Sequence, residues 1–535
     1  VQHFDFIIVG AGTAGCVVAA RLSEDRNASV LLLEAGGPDR SPWIQVPIGY
    51  GRTFFDHKIN WMYETGPVPA LNGRTSYWPR GRVIGGSGSI NAMVYVRGQP
   101  EDFDGWRDSG NPGWGFADVL PYFRKSEDHD CGETSHHGAG GPMHVTDISA
   151  RVHPLCAQFQ QAAANLGFPA TPDFNGPEGE GVGIYQINTD RGIRASTANA
   201  FLRPALRRKN LRLETNALAT SILFDGNRAT GVAYMRDGQE ATARARREII
   251  LCGGAINSPQ LLQLSGIGDP GDLAAAGVAV RHALPGVGRN LQDHLAVSYF
   301  YRSSRPTLND ELRPLTGKIL AGLRYLIDRG GLLSMSVNQA GGFVRSRADL
   351  TRPDLQLYFS PVSYTQTPLS DRRLLNPDPF PAFLLSFNAC RPTSRGFLRI
   401  VSPDPQRHPA ITPNYLSTDQ DLADALAGCL LLRRLAATRP LADIITAELS
   451  PGADVQTNAD LLTDFRNRAD TVYHPAGTCA MGPDPRTAVV DAQLRVHGIA
   501  GLRVIDASIF PTLTSGNTNA PIVMVAEKGA DLVKP

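Results

Sequence analysis

The segment from Asp5 to Glu34 constrains the fold more than any other stretch of this chain. Phe6-Ile7-Ile8-Val9, led in by Asp5, is a continuous apolar run, the pattern of a strand buried on both faces of a parallel sheet. Gly10-Ala11-Gly12-Thr13-Ala14-Gly15 follows at once. Cys16, Val17, Ala19, Ala20 and Leu22 then predict a helix through about Ser23. A second strand is predicted over Ser29 to Leu33, and it ends in Glu34. In such a unit Gly10 permits the tight turn and Gly12 lets a pyrophosphate approach the backbone. Gly15 lets the helix pack closely on the strand. The helix N-terminus offers free N–H groups and the positive end of its dipole to the phosphates. Glu34, at the tip of the second strand, is placed to hold both ribose hydroxyls and to repel a 2′-phosphate. A dinucleotide site follows, with NADP disfavoured and NAD and FAD both open.

The remaining bulk properties narrow the class. A chain of 535 residues is too long for one ordinary core, so two domains are expected. With 52 basic and 51 acidic side chains the formal net charge is +1, and no block of like charge appears. No global field therefore favours nucleic acid or anionic lipid. Seven scattered cysteines, an odd number with no CxxC pair, fit buried free thiols better than a disulfide framework or a zinc site. His129-Asp130-Cys131 and His136-His137 have ligand types, but the spacing fits no common zinc pattern and the surroundings are Gly-rich. A loop over the cofactor or active site, without metal, is expected there. Cys390, after an apolar run and before Arg391, is read as a buried structural thiol. The start Val1-Gln2-His3-Phe4 shows no leader signature and no window of about 18 apolar residues is free of charge. Cytoplasm is the expected compartment, with membrane association absent or peripheral. Oligomeric state is not readable.

A second glycine-rich segment, Gly81-Arg82-Val83-Ile84-Gly85-Gly86-Ser87-Gly88-Ser89-Ile90-Asn91, suits close backbone approach to a large planar or charged ligand. With Asn91 through Asp104 it resembles the first signature of the glucose–methanol–choline (GMC) oxidoreductases. Gly254-Ala255-Ile256-Asn257-Ser258-Pro259 through Gly268 is similar to that family's second signature. Tyr473-His474-Pro475-Ala476-Gly477-Thr478, Val504-Ile505-Asp506-Ala507-Ser508 and Asn517-Thr518-Asn519-Ala520-Pro521 complete the resemblance, in the family's order and over almost the whole chain.

The resemblance implies an α/β fold, α+β overall. A Rossmann-like FAD-binding domain, discontinuous in sequence, takes residues 1–155, 206–296 and 461–535. A substrate domain of residues 156–205 and 297–460 is built on an antiparallel sheet flanked by helices. Leu355–Phe359 and Gly396–Val401 read as strands of that sheet, and Leu211–Phe224 and Glu248–Cys252 as strands of the cofactor domain. The FAD-binding residues implied are Gly10, Gly12, Thr13, Ala14, Gly15, Glu34, Ala35, Trp61, Gly86, Ser87, Asn91, Ala92, Met93, Val94, Ala219, Asp506, Ala507 and Thr518. Some family members bond the flavin covalently to a histidine just before the loop asparagine. Here that position is Ile90, so FAD is expected to be non-covalent.

The chemistry implied is oxidation of a primary alcohol to an aldehyde by hydride transfer to flavin. A base must lie within hydrogen-bond reach of the hydroxyl, and fixed donors must stabilise the developing alkoxide. His474 is the expected base, since an imidazole can be neutral at working pH. Asn517 is its expected partner, a donor that never competes as a base. Tyr358, Phe359 and Tyr473 are expected to line the substrate pocket. The motif pattern tilts toward a dehydrogenase that passes electrons to a quinone-like acceptor. An alcohol oxidase reducing O2 to H2O2 is the alternative, followed by a non-oxidising relative such as a hydroxynitrile lyase. An NAD-dependent enzyme satisfies the first loop alone.

Overall fold

The computed structural model describes residues 2–365 and 376–534. The strand Gln2–Val9 lies between Val30–Leu33 and Gln239–Leu251, parallel to both, with Phe6 opposite Val30 and Val9 opposite Leu33 and Leu251. Leu211–Glu214 extends the sheet beyond Val30–Leu33, and Leu502–Val504 adds a parallel strand beside Gln239–Leu251. Ala217–Asp225 and Arg228–Arg236 continue the sheet as an antiparallel meander. The helix Thr13–Leu22 starts where expected, on Gly12, and packs with the C-terminal helix Asn519–Val533 over this sheet. Ile7, Ile8, Leu31, Leu32, Ile249 and Ile250 are fully buried, as a parallel sheet covered on both faces requires.

A second, wholly antiparallel sheet runs in the order Ile445–Ser450, Leu295–Ser303, Ala382–Ala389, Leu355–Ser360, Ala340–Val344 and Gly181–Ile184. Alternation gives each strand two faces. Leu355, Leu357 and Phe359 join Phe383, Phe387, Val297 and Tyr299 in one apolar core, covered by helices Leu155–Asn165, Asp419–Ala436 and Asn458–Arg468. Gln356, Tyr358 and Ser360 point the other way, where Gln356 reaches Asn517 and Ser360 reaches Asn338.

Three features differ from the sequence reading. Phe397–Arg399 is not part of the large sheet. It pairs with Ala410–Thr412 in a separate ribbon, and its N-terminal end is tied to Gly288 and Leu291 through Leu398 and Gly396. Packing also runs past two of the expected domain boundaries. Ala198, Phe201 and Leu202 pack on the first core, whereas helix Asn458–Arg468 and the short strand Asp470–Thr471 belong with the second. Finally, six cysteines are buried but Cys131 is exposed. Among the described residues, no helix is long and apolar enough to cross a membrane.

Candidate active site

The cleft beside the first sheet is a cavity of about 1190 Å³ including its mouth. Gly10, Gly12, Thr13, Ala14, Glu34, Ala35, Trp61, Gly86, Ser87, Ala219, Asp506, Ala507 and Thr518 all line it. Gly10 has φ +100°, and a Cβ there would sit 2.6 Å from the Cys252 carbonyl oxygen. Gly12 meets nothing closer than 3.9 Å, so its bare Cα faces the cavity. No side chain caps the helix that starts at Thr13, which leaves its first N–H groups for an anion. Glu34 is part of the wall. Its Oε2 accepts from the Ala11 N–H at 2.9 Å and its Oε1 from the Gly36 N–H at 2.8 Å. Burial nevertheless pushes its carboxyl up to about 7. A cavity walled by bare glycines, an uncapped helix N-terminus and a buried carboxylate fits FAD.

Five residues of the expected set lie off the cavity wall. Gly15 has a packing role: a Cβ there would fall 1.8 Å from the Gly10 carbonyl oxygen. Asn91, Ala92, Met93 and Val94 form a loop between the two sheets. Arg194, fully buried, donates to both the Asn91 carbonyl and the Asn91 Oδ1 at 2.7 Å. Met93 holds φ +64°, and Val94 packs with Tyr358 and Cys390. Asp506 is saturated by four donors: the Gly254 and Ser258 groups on Oδ2, and the Ser508 N–H and Oγ–H on Oδ1. It thus ties the second signature segment to the C-terminal one. Ile90, the position of a histidine in some family members, is buried with Ile44, Ile59 and Val83.

His474 and Asn517, 43 residues apart in sequence, meet directly: Asn517 Nδ2 lies 3.1 Å from His474 Nε2. A chain of bonds fixes which atoms carry protons. The Cys390 carbonyl can only accept, so the His294 proton sits on Nε2, 2.9 Å away. Burial drives the His294 imidazole down to about 4, so it is neutral and its Nδ1 is a lone pair. His474 Nδ1, 3.0 Å from that atom, must therefore be the donor, and His474 Nε2 is left with a lone pair facing Asn517. Gln356 Nε2 donates to Asn517 Oδ1 at 3.2 Å and so turns the Asn517 NH2 toward the imidazole. Burial first, then the nearby His294 and Arg80, hold His474 well below the ordinary histidine value.

The turn that carries His474 is strained and pinned. Tyr473 has φ +71°, rare for an aromatic residue. Arg80 Nη2 donates to its carbonyl at 2.7 Å, and the Thr471 Oγ1 accepts its N–H at 2.7 Å. Asp293 Oδ1 accepts the His474 N–H at 2.8 Å, while its Oδ2 takes Thr471 and Tyr415. The Tyr473 ring meets Phe54 edge-on at 5.3 Å.

Of the two expected pocket residues in the Leu355–Ser360 strand, only Tyr358 shares a face with Gln356, and there it packs among Val94, Tyr185, Phe343 and Cys390. Phe359 stacks on Phe159 at 5.1 Å within the helix-covered core, because neighbours in a strand face opposite ways. The sequence reading missed His294, Gln356, Arg80, Asp293 and Arg194. Only His294 carried a signal, a histidine entering a long apolar strand.

The His129 region does gather three candidate ligands, His129, Cys131 and His137, within 4.8 Å. Of the three, only His137 has both ring nitrogens engaged, and His129 Nε2 has no partner among the described residues. His137 is gripped by Asp173 at 2.6 Å and Glu127 at 3.1 Å, which raise it to about 9, and His129 Nδ1 accepts the Cys131 N–H. His137 belongs to an ion network with Arg97, Glu127 and Asp173.

A Rossmann-like sheet with a glycine-lined cleft, a second, antiparallel sheet, and a histidine–asparagine pair held on the loops after Asp470–Thr471 and before Asn519–Val533 define a class: FAD-dependent oxidoreductases acting on CH–OH donors. Residues 4–296 and 392–526 match the N- and C-terminal parts of the GMC oxidoreductase family, and the chain belongs to that family. It is 46% identical to the mitochondrial choline dehydrogenase of Mus musculus, over 100% of this chain and 90% of that one. It is 42% identical to an oxygen-dependent choline dehydrogenase of Photobacterium profundum, over 99% of this chain and 93% of that one. Among solved structures, pyridoxine 4-oxidase from Mesorbium loti superposes with a TM-score of 0.88 at 33% identity, covering 99% of this chain and 98% of that one. A formate oxidase superposes at 0.92 with 26% identity and the same coverage.

Proposed function

We propose that this protein oxidises an uncharged primary alcohol to its aldehyde, with His474 as the general base and Asn517 as the donor to the substrate oxygen. The observation that supports this reading is the fixed tautomer of His474, whose Nε2 lone pair faces the Asn517 amide. FAD, when bound, supplies the acceptor for the carbinol hydride. An alcohol oxygen that displaces the direct Asn517–His474 hydrogen bond donates its proton to Nε2 and accepts from the Asn517 N–H. As the proton leaves, that N–H is already aimed at the growing negative charge and needs no reorganisation. His294 keeps the imidazole oriented, and the Cys390 carbonyl keeps His294 oriented.

The cleft face of the second sheet favours a neutral substrate. Gln356, Tyr358, Ser360, Ser386 and Asn388 are all uncharged. The carboxylate of Asp470, at the edge of that face, is occupied by Ser76 and the Thr471 N–H. On this face a quaternary ammonium would therefore meet no carboxylate except the occupied Asp470, and Arg80 would repel it. The relatives named for choline make choline the substrate to test against its neutral isostere, 3,3-dimethylbutan-1-ol. Anaerobic mixing should bleach the flavin with the isostere far faster than with choline. Faster bleaching with choline overturns the neutral-substrate reading, and no bleaching by any alcohol overturns alcohol oxidation itself.

FAD is held without a covalent bond in this proposal, because Ile90 has no nucleophilic atom. Acid precipitation should leave the flavin in the supernatant. Electrons pass to a quinone-like acceptor, with O2 as the second reading, favoured by the likeness to two oxidases. Turnover measured with a quinone analogue against peroxide release separates the two.

A further inference from the structure

The helix Leu315–Asp328 is built inside out. It has no buried residue. Its half-buried positions are the small Gly317, Ala321 and Gly322 together with Tyr325. Gly317 lies so close to the preceding turn that a Cβ would stand 2.0 Å from the Glu311 carbonyl oxygen, and the Tyr325 hydroxyl donates to the Gly192 carbonyl at 2.8 Å. That is the face on the protein. Leu315, Ile319, Leu320, Leu323, Leu326 and Ile327 are 50% to 84% exposed. At roughly 100° per residue they fall within about 140° of arc, on the side away from the protein. An ordinary surface helix shows the reverse pattern, and isolated exposed aliphatics need no explanation, but six on one face do.

Charge decides among the occupants. Exposed Arg324 borders the apolar arc, and exposed Arg313 and Arg329 stand at the two ends, against Glu311 and Asp328. A second copy docked by a two-fold axis would set the same cations against one another. An apolar stripe bordered by cations instead matches the acyl boundary and headgroups of a bilayer that contains anionic lipid.

We infer that this helix lies in the surface of an anionic membrane, with its six aliphatic side chains in the acyl boundary and its basic rim on the headgroups. The contact is peripheral and needs no spanning segment.

Co-sedimentation of the FAD-loaded protein with vesicles tests the inference. Phosphatidylcholine vesicles containing phosphatidylglycerol should pull the protein down, with binding about 10-fold weaker on pure phosphatidylcholine or in high salt. The triple variant L320S/L323S/I327S should lose at least about 100-fold in binding. It should keep the flavin spectrum and the turnover with a soluble dye acceptor, which shows that it is folded. A parent protein that stays in the supernatant with the anionic vesicles overturns the inference. So does a triple variant that binds them as well as the parent. A parent dimer that the variant splits, without vesicle binding by either, assigns the stripe to a second copy instead.

Discussion

The Nδ1 atoms of His294 and His474 lie 3.0 Å apart, and the Cys390 carbonyl on the far side of His294 sets which of them carries the proton. One backbone oxygen thereby determines that the reactive nitrogen of His474 is Nε2. Removing that control while leaving His474 in place has a specific cost. His294→Ala should lower kcat about 100-fold, within the usual range for general base catalysis, with KM little changed. His294→Gln, whose amide can both donate to Cys390 and accept from His474, should recover part of the loss. A merely structural role would not show that rescue.

The pH dependence of kcat/KM follows from the direction in which His474 is shifted. Burial, His294 and Arg80 disfavour its imidazolium, so the neutral base persists well below the ordinary value. The acid limb of the rate profile should therefore lie below the pH of about 6.5 at which a free imidazole titrates. Stability moves the other way. The unfolded chain binds protons at both His294 and His474 as pH falls through about 6.5, and the folded chain does not. Urea midpoints should decline below that pH, through the window down to the folded value of about 4 for His294.

Asn517→Asp would place a negative charge beside the oxygen that is becoming an alkoxide, and would also raise the proton affinity of His474. Flavin reduction in anaerobic stopped-flow should slow by at least about 100-fold. Asn517→Ala should cost less, since it removes a donor without adding a charge. Equal rates for Asn517→Asp and the parent would remove Asn517 from the mechanism.

Glu34 is raised to about 7 by burial despite two backbone donors. Ribose hydroxyls donating to it favour the ionised form, so FAD binding should release a proton when the free protein is below about pH 7. FAD affinity should rise with pH across that window. Calorimetric titration of the cofactor-stripped protein in two buffers of different ionisation enthalpy reads the proton directly, and Glu34→Gln should abolish it.

The sequence by itself determined what is local or motif-bound. The strand, glycine turn, helix and second strand ending at Glu34 stand as read, because each depends on neighbours a few residues away. Thirteen of the eighteen expected cofactor residues line one cavity. Tyr358 and Phe359 could not be told apart without knowing which face of their strand meets the helices, and a one-residue difference decides it. His294, Gln356 and Arg80 were invisible for the same reason. Their bonds to His474, Asn517 and Tyr473 span 161 to 393 positions of the chain and exist only once two sheets face one another. The residue types that make an acid–base pair possible are written in the sequence. The proton positions that make it work depend on buried hydrogen bonds between distant segments, and only the tertiary structure supplies those.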